Sequence, residues 1–192
     1  MPRPSLREQL VTAGLETFHR RGFNGTSVQD ITDAAGAPKG SFYNHFESKE
    51  ALAVEAVRRY RERGRLRMAI LQETKLPPLR RLRKYFEGYV ERIVEAEFKS
   101  GCLLGNFATE MSSQSQLVRD EVAESFDRWC EEIAKVIGEA QKAGAVSTAL
   151  PAKSLAEYVI HSWEGAMLRA KVEKDRAPLD LFVKLTFSKI LA

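Results

Sequence analysis

The sequence predicts an all-α protein of about nine helices, and three observations support that prediction. Apolar residues recur at three- and four-residue steps along most of the 192-residue chain, which is the spacing of one helix face. No segment alternates apolar and polar residues as a half-buried strand does. Glycine, proline and short polar runs interrupt the periodic pattern, so the helices are separate and are joined by turns.

Four of the predicted helices precede a Pro-Pro break in the first half of the chain. Gly22 follows the basic end of the first helix as a stop signal. Ser27 opens the second helix, which Ala35-Gly36-Ala37 breaks, and Ser48 caps the fourth. The four helices are expected at about residues 6–21, 27–34, 41–45 and 48–73.

Five helices are predicted in the rest of the chain, after Pro77-Pro78. Gly101, the polar run 112–114, the segment 144–151 and Ala177-Pro178 separate them. These helices are expected at about residues 78–97, 103–111, 115–143, 152–174 and 178–190.

Composition excludes several classes of function. Cys102 and Cys130 are the only cysteines; they lack metal-ligand spacing and are too few for a disulfide framework, so we expect no metal, no cofactor and a reducing cytoplasm. No apolar run approaches the roughly 20 residues of a membrane span, and none follows the basic start as in a signal peptide. No catalytic motif is present, so an enzyme is not expected. The net charge of +4 decides nothing by itself.

Residues 27–46 carry the strongest functional signal. Two short helices separated by a glycine-bearing turn form a helix-turn-helix, whose second helix can enter the DNA major groove. Phe42 and Phe46, four residues apart, share the face that packs inward. The polar residues of the same segment can then face outward, and Gly40 allows a close approach of backbone to DNA. The outward-facing set is Lys39, Ser41, Tyr43, Asn44 and His45.

The segments 23–31, 34–37, 39–46 and 48–52, in this order and spacing, resemble the TetR-family DNA-binding domain over about residues 5–60. The resemblance implies a helix-turn-helix domain at 1–50, followed by a ligand-binding and dimerisation domain at 51–192. It implies phosphate contacts from Thr26, Ser27, Tyr43, His45 and Lys49, and base contacts or close approaches from Lys39, Gly40, Ser41 and Asn44.

Simpler structural roles remain open for several of these residues. Thr26 or Ser27 can merely cap a helix, and Tyr43 can belong mainly to the core. The basic run Arg58, Arg59, Arg61, Arg63 and Arg65 is expected to be a solvated helix face.

The resemblance also implies a dimer, because a palindromic DNA site needs two recognition helices related by a two-fold axis. In the family the last two long helices pair with those of a second copy, although the same apolar stripes can also be intramolecular core. The expected interface residues are Leu155, Tyr158, Ser162, Trp163, Ala166, Phe182 and Leu185.

The segment 100–110 and the segment 162–171 resemble a TetR subgroup that responds to electrophiles such as reactive aldehydes, quinones or acrylate-like compounds. Cys102 precedes a short helix, whose N-terminal end favours the thiolate. Lys171 or Arg169 is a candidate for a nearby cation. The alternative is that Cys102 is a small buried hydrophobe, as Cys130 is expected to be. Pocket walls are expected from Phe86, Tyr89, Phe107, Met111, Phe126, Trp129, Trp163 and Met167, each of which can equally be ordinary core.

The sequence therefore predicts a TetR-type repressor that binds palindromic double-stranded DNA as a homodimer. Release is expected from a small-molecule effector, which can be a thiol-reactive electrophile acting at Cys102. The alternatives are a reversible apolar ligand with a purely structural Cys102 and, more remotely, a helical protein–protein adaptor.

Overall fold

A computed structural model describes residues 4–192, and within that range the chain is helical with no strand. Eight α-helices and the 3-10 helix Lys39–Asn44 make up the nine main elements of the described range. This confirms the all-α prediction. The α-helices are α1 (Leu6–Arg21), α2 (Val28–Ala34), α3 (Lys49–Met68), α4 (Pro78–Glu95), α5 (Leu103–Met111), α6 (Gln116–Lys142), α7 (Ala152–Glu173) and α8 (Ala177–Leu185). Short 3-10 and π turns, Ala69–Gln72 and Thr186–Ile190, extend α3 and α8.

Local signals in the sequence set the ends of the first helices. The Ser27 side chain accepts a hydrogen bond from the Asp30 backbone while the Asp30 carboxylate accepts one from the Ser27 backbone, which is a capping box. Gly22 ends α1 with φ 76° and ψ 175°, a backbone conformation that essentially only glycine adopts. The second helix of the helix-turn-helix, called the recognition helix below, is the 3-10 helix Lys39–Asn44. At its start the Ser41 amide donates a hydrogen bond to the Pro38 carbonyl at 2.9 Å.

The structure forms two compact units. The helix-turn-helix unit contains the chain up to Gly64 together with Cys102–Ser125, and the C-terminal unit contains Arg65–Gly101 and Phe126–Ala192. Helices α3 and α6 have residues in both units. The helix-turn-helix unit thus includes α5 and the first part of α6, which the sequence-based boundary after residue 50 assigns to the other domain.

Three aromatic rings form the centre of the helix-turn-helix unit. Phe18 of α1 lies 5.6 Å from Phe23 and 5.5 Å from Phe107 of α5, measured between ring centroids. Both Phe18 and Phe107 are fully buried. Phe107, which the sequence suggested as a pocket wall, therefore packs α5 onto α1 in this core.

Part of the arginine run on α3, which was expected to be a solvated helix face, also forms ion pairs. Arg58 and Arg61 both bind the carboxylate of Glu121 on α6, at 2.9 and 3.1 Å. Glu121 is only 5% exposed, and a buried carboxylate of this kind is stable only when it is paired. Arg59 binds Glu8 of α1 at 2.5 Å.

The core of the C-terminal unit is aromatic. The fully buried Trp163 of α7 lies 5.2 Å from Phe86 of α4 and 5.1 Å from Phe182 of α8, again between ring centroids. Arg81 of α4 is also buried in this unit; it donates to the Leu71 carbonyl and pairs with Glu139.

Candidate DNA-binding surface and sensor residues

The recognition 3-10 helix separates apolar and polar residues. Phe42 is fully buried and Phe46 is 5% exposed, with their ring centroids 5.7 Å apart. Tyr43 is 60% exposed and its ring edge contacts Phe42. The other polar residues of the segment lie on the outside; Ser41 is half-buried, and the exposed ones are Lys39, Gly40, Asn44 and His45. A Cβ atom built at Gly40 meets no atom within 4 Å, so this surface is open to a partner.

Thr26 and Ser27 have structural roles at the start of α2. The buried Thr26 hydroxyl donates to the Gly22 carbonyl at 2.7 Å. Ser27 is exposed and caps α2 through Asp30. Asp30 also pairs with Arg21 at 2.9 Å, and these hydrogen bonds hold the pKa of the Asp30 carboxyl below its usual value. Of the two residues, only Ser27 is exposed enough for the phosphate contact that the resemblance implies.

The half-buried Lys49 is hydrogen-bonded to backbone carbonyls. Its ammonium donates to the carbonyls of Phe23 at 3.0 Å and Thr26 at 2.8 Å, and it lies 4.1 Å above the Phe23 ring. Burial lowers the pKa of the Lys49 ammonium, opposed by the charges of Glu50 and Glu110. A side chain held in this way joins the start of α3 to the turn before α2.

Glu110, near the end of α5, has a structural role that the sequence did not predict. Its carboxylate accepts a hydrogen bond of 2.8 Å from the Asn24 amide in the loop between α1 and α2. The carboxylate lies so close to Gly22 that a Cβ atom there would stand 2.2 Å from Oε1. The two residues are 86 positions apart in the sequence, and no local sequence pattern predicts a contact between residues so far apart. Glu110 therefore attaches α5 to the helix-turn-helix.

Cys102 is the N-cap residue of α5 and is 6% exposed. The Tyr60 hydroxyl lies 4.0 Å from the Cys102 sulfur, and the Tyr60 ring contacts His19 of α1 at 5.5 Å between centroids. Cys102 thus lies at one end of α5, in contact with α3, while Glu110 lies near the other end in contact with the helix-turn-helix.

The other sensor candidates lie in the C-terminal unit. Burial raises the pKa of the Cys130 thiol, and the charges of Glu157 and Asp127 act in the same direction. The Lys171 ammonium donates to the Ser100 carbonyl at 3.4 Å, whereas Arg169 pairs with Glu173 on the surface. The apolar candidates that are buried there are Phe86, Trp129, Trp163 and Met167, and Tyr89 is half-buried beside them.

The residues expected at a dimer interface fall into three groups. Inside the C-terminal unit are Leu155, Trp163 and Phe182. The half-buried pair on α7 is Ser162 and Ala166. Tyr158 on α7 and Leu185 on α8 are 53% and 45% exposed. The first group is intramolecular core, and the last is available to a partner.

Neither a metal-binding cluster nor a membrane-spanning helix is present in the part of the chain that the structure describes. In residues 4–192 no three His, Cys, Asp or Glu side chains are grouped to hold a metal ion. Over the same range no helix is both long and apolar enough to cross a membrane.

Two family models match the chain. The model described as bacterial regulatory proteins, tetR family, matches residues 10–56. The model described as tetracyclin repressor-like, C-terminal domain, matches residues 78–186. The two matches fall on the helix-turn-helix segment and on the chain from α4 to α8.

Named relatives and solved structures agree with these matches. The chain is 42% identical to the HTH-type transcriptional repressor DhaR of Mycobacterium sp. (strain GP1), over 100% of this chain and 95% of DhaR. It is 27% identical to the repressor NemR of Escherichia coli K12, over 91% and 88%. The crystal structure of a TetR regulatory protein from Rhodobacter sphaeroides superposes with a TM-score of 0.90 and 33% identity, covering 98% of this chain and 100% of that one.

These relatives are named as regulators, which confirms the expectation of a transcription regulator rather than an enzyme. With 42% identity to a regulator over its whole length and family matches covering both of its parts, the chain belongs to the tetR family of bacterial regulatory proteins.

Proposed function

We propose that the protein is a transcriptional repressor that binds a palindromic DNA site as a homodimer and leaves it when an effector acts on the rest of the chain. The observation that carries the proposal is the recognition helix, whose exposed polar face stands over the buried Phe42 and Phe46. Side chains on such a face reach base edges in the major groove.

An exposed apolar face on α7 and α8 supports the dimer. Tyr158, Leu168 and Val172 lie on one side of α7 at helical spacing and are 53%, 66% and 73% exposed. Leu181 and Leu185, one turn apart on α8, are 55% and 45% exposed. Single exposed apolar residues are common, but a contiguous set marks an interaction surface. A second copy of the chain is the occupant that a palindromic site requires.

The contacts at the two ends of α5 supply a route for release. Cys102 begins the helix and Glu110, near its end, holds the Asn24 amide of the helix-turn-helix. Cys102 is 6% exposed and its sulfur lies 4.0 Å from the Tyr60 hydroxyl, so we expect a group added to the sulfur to crowd its surroundings, because protein cores contain few voids. The adduct would displace α5 and with it the Glu110 contact. An effector acts in this way only if it favours the displaced state over the DNA-binding state.

The chemistry at Cys102 is a conjugate addition. The thiolate forms a carbon–sulfur bond with the β-carbon of an α,β-unsaturated carbonyl compound, the electron pair of the double bond moves to the α-carbon, and that carbon takes up the proton the thiol lost. The reaction needs no oxidant.

The proposal is tested by selecting bound sites from random duplex DNA at physiological salt. Enrichment of a palindrome is the expected result, since each half of the dimer reads one half-site. Recovery of no common sequence would overturn the proposed function.

The sensor role is tested on the selected site with N-ethylmaleimide as the electrophile. Treatment should release the wild-type chain and the Cys130→Ser variant but not Cys102→Ser. Cys130 is the matched control because burial raises its pKa and slows its reaction. If the treated Cys102→Ser protein is released as readily as wild type, Cys102 is not the sensor and the proposed route through α5 fails.

A further inference from the structure

Side chains from three helices meet beside the start of α5. The Tyr60 hydroxyl of α3 is directed at the sulfur of Cys102, with 4.0 Å between oxygen and sulfur. The Tyr60 ring contacts the His19 ring of α1 edge-on, at 5.5 Å between centroids and 67° between planes. All three residues belong to the helix-turn-helix unit. The arrangement brings a hydrogen-bond donor to the thiol on which the proposed sensing depends.

The first turn of α5 does not supply such a donor through a cap. Cys102 is the N-cap residue, but within the described chain its side chain makes no capping hydrogen bond to an amide of α5. It is the Cys102 carbonyl that accepts from the Asn106 amide, at 3.0 Å. The end of α5 therefore acts on the sulfur as a dipole, and the directed hydrogen bond comes from Tyr60.

A hydroxyl that donates to a sulfur favours its charged form, because hydrogen bonds to a charged acceptor are stronger than those to a neutral one. Two other titratable side chains lie nearby. His19 contacts the Tyr60 ring, which orients the phenol. The Lys171 ammonium donates to the carbonyl of Ser100, two positions before the cysteine. Tyr60 is the one of the three that addresses the sulfur itself.

We propose that Tyr60 activates Cys102 by donating a hydrogen bond to its thiolate, with the ring held in place by His19. The inference rests on the proposed function, because it names the residue that prepares the sensor for reaction. Tyr60 keeps its own proton throughout. The thiolate forms the carbon–sulfur bond and becomes a neutral thioether, the proton that the thiol lost ends on the α-carbon of the electrophile, and the hydrogen bond from Tyr60 is given up.

The test is the rate at which acrylamide, an α,β-unsaturated carbonyl compound, adds to Cys102 between about pH 6 and about pH 10, followed by the mass of the intact protein. The parent is Cys130→Ser, which leaves Cys102 as the single cysteine. Adding Tyr60→Phe to this parent keeps the ring beside His19 and removes only the hydroxyl.

We expect the midpoint of the pH–rate profile to rise by about one pH unit in the Tyr60→Phe variant, because the thiolate loses a hydrogen bond. A less stabilised thiolate is also more nucleophilic. The rate should therefore be about threefold lower than that of the parent at pH 7 and about threefold higher on the alkaline plateau. The two profiles cross.

A merely structural role of Tyr60 would not make the profiles cross, because a change in access to the sulfur alters the rate by the same factor at every pH. Superimposable profiles, or profiles that differ by one constant factor, would overturn the inference. Tyr158→Phe in the same parent is the matched control, since Tyr158 is 53% exposed on α7, and its profile should follow that of the parent.

Release of the wild-type chain from selected DNA by N-ethylmaleimide tests the proposed function separately. Release together with superimposable profiles would leave the sensor in place and overturn the role of Tyr60. Crossed profiles without release would support the activation of Cys102 and contradict its role as the sensor. A Cys102 that acrylamide does not modify at any pH would overturn both.

Discussion

The two units differ in how they treat their buried polar groups. In the helix-turn-helix unit, the buried Thr26 and Glu121 and the half-buried Lys49 are all hydrogen-bonded or ion-paired within the protein. In the C-terminal unit, the Trp163 indole nitrogen and the Arg81 Nε atom are buried without a hydrogen-bond partner. A satisfied polar network fixes a geometry, whereas an unsatisfied one lowers stability until something pairs with it.

That difference bears on two requirements of the proposed function, although the proposed sensor Cys102 belongs to the helix-turn-helix unit. Reading DNA requires a recognition helix held in a fixed orientation, because base contacts depend on close alignment with the groove. Sensing requires a region whose free energy changes when a ligand binds. Substitutions in the two units therefore test this comparison.

The largest effect is expected from Lys39→Ala, which removes an exposed side chain of the recognition helix. One good base contact contributes about 1–3 kcal/mol, and a dimer makes it twice, so affinity for the selected palindrome should fall about a hundredfold or more. The measurement is a fluorescence anisotropy titration. Lys135→Ala, which removes an exposed lysine paired with Glu132 on α6, is the control. Equal losses for both variants would mean that Lys39 acts only as a charge.

Gly22→Ala should destabilise the helix-turn-helix unit. It forces a side chain into φ 76° and ψ 175° and against Glu110, so we expect the free energy of unfolding to fall by about 3 kcal/mol. Gly36→Ala is the matched control, with φ 65° and no atom near the added Cβ, and should cost about 1 kcal/mol. Similar losses in urea unfolding would show that the Glu110 contact adds nothing.

Lys49→Met separates a structural role from a phosphate contact. Loss of the ammonium bonds to Phe23 and Thr26 should lower the free energy of unfolding by about 1.5–3 kcal/mol. The salt dependence of DNA binding should stay as in wild type. A stable variant with a salt slope reduced by about one would restore the phosphate role that the resemblance implies.

The buried Tyr85 should make the folded protein less stable at alkaline pH. Because burial raises its pKa in the folded state, the folded protein keeps this proton where the unfolded chain loses it. The stabilisation is complete below the unfolded pKa of about 10 and falls by about 1.4 kcal/mol per pH unit above it. Unfolding of wild type and Tyr85→Phe should therefore differ in slope above about pH 10. Parallel curves would place the phenol in contact with water.

The elements that the sequence predicted correctly depend on neighbouring residues. The Ser27 cap, the Gly22 stop and the burial of Phe42 and Phe46 follow from spacings of a few residues. The family resemblance rests on the same short-range patterns, and it located the recognition helix.

The features that the sequence did not predict are long-range pairings. Glu110 meets Asn24 across 86 residues and Arg61 meets Glu121 across 60. Lys49, for which the resemblance implies a phosphate contact, donates to carbonyls 23 and 26 residues away. A lone charged residue carries no sign of its distant partner, so only the fold shows which charges are solvated and which hold elements together.

The most direct test of the central claim, that this chain reads DNA sequence through its recognition helix, is the ratio of its affinities for the selected palindrome and for the same duplex with its bases shuffled. At physiological salt we predict a ratio of about a thousand or more, reduced in Asn44→Ala while binding to the shuffled duplex stays as in wild type. A ratio near one would mean that the chain binds DNA only as a polyanion and would contradict the account.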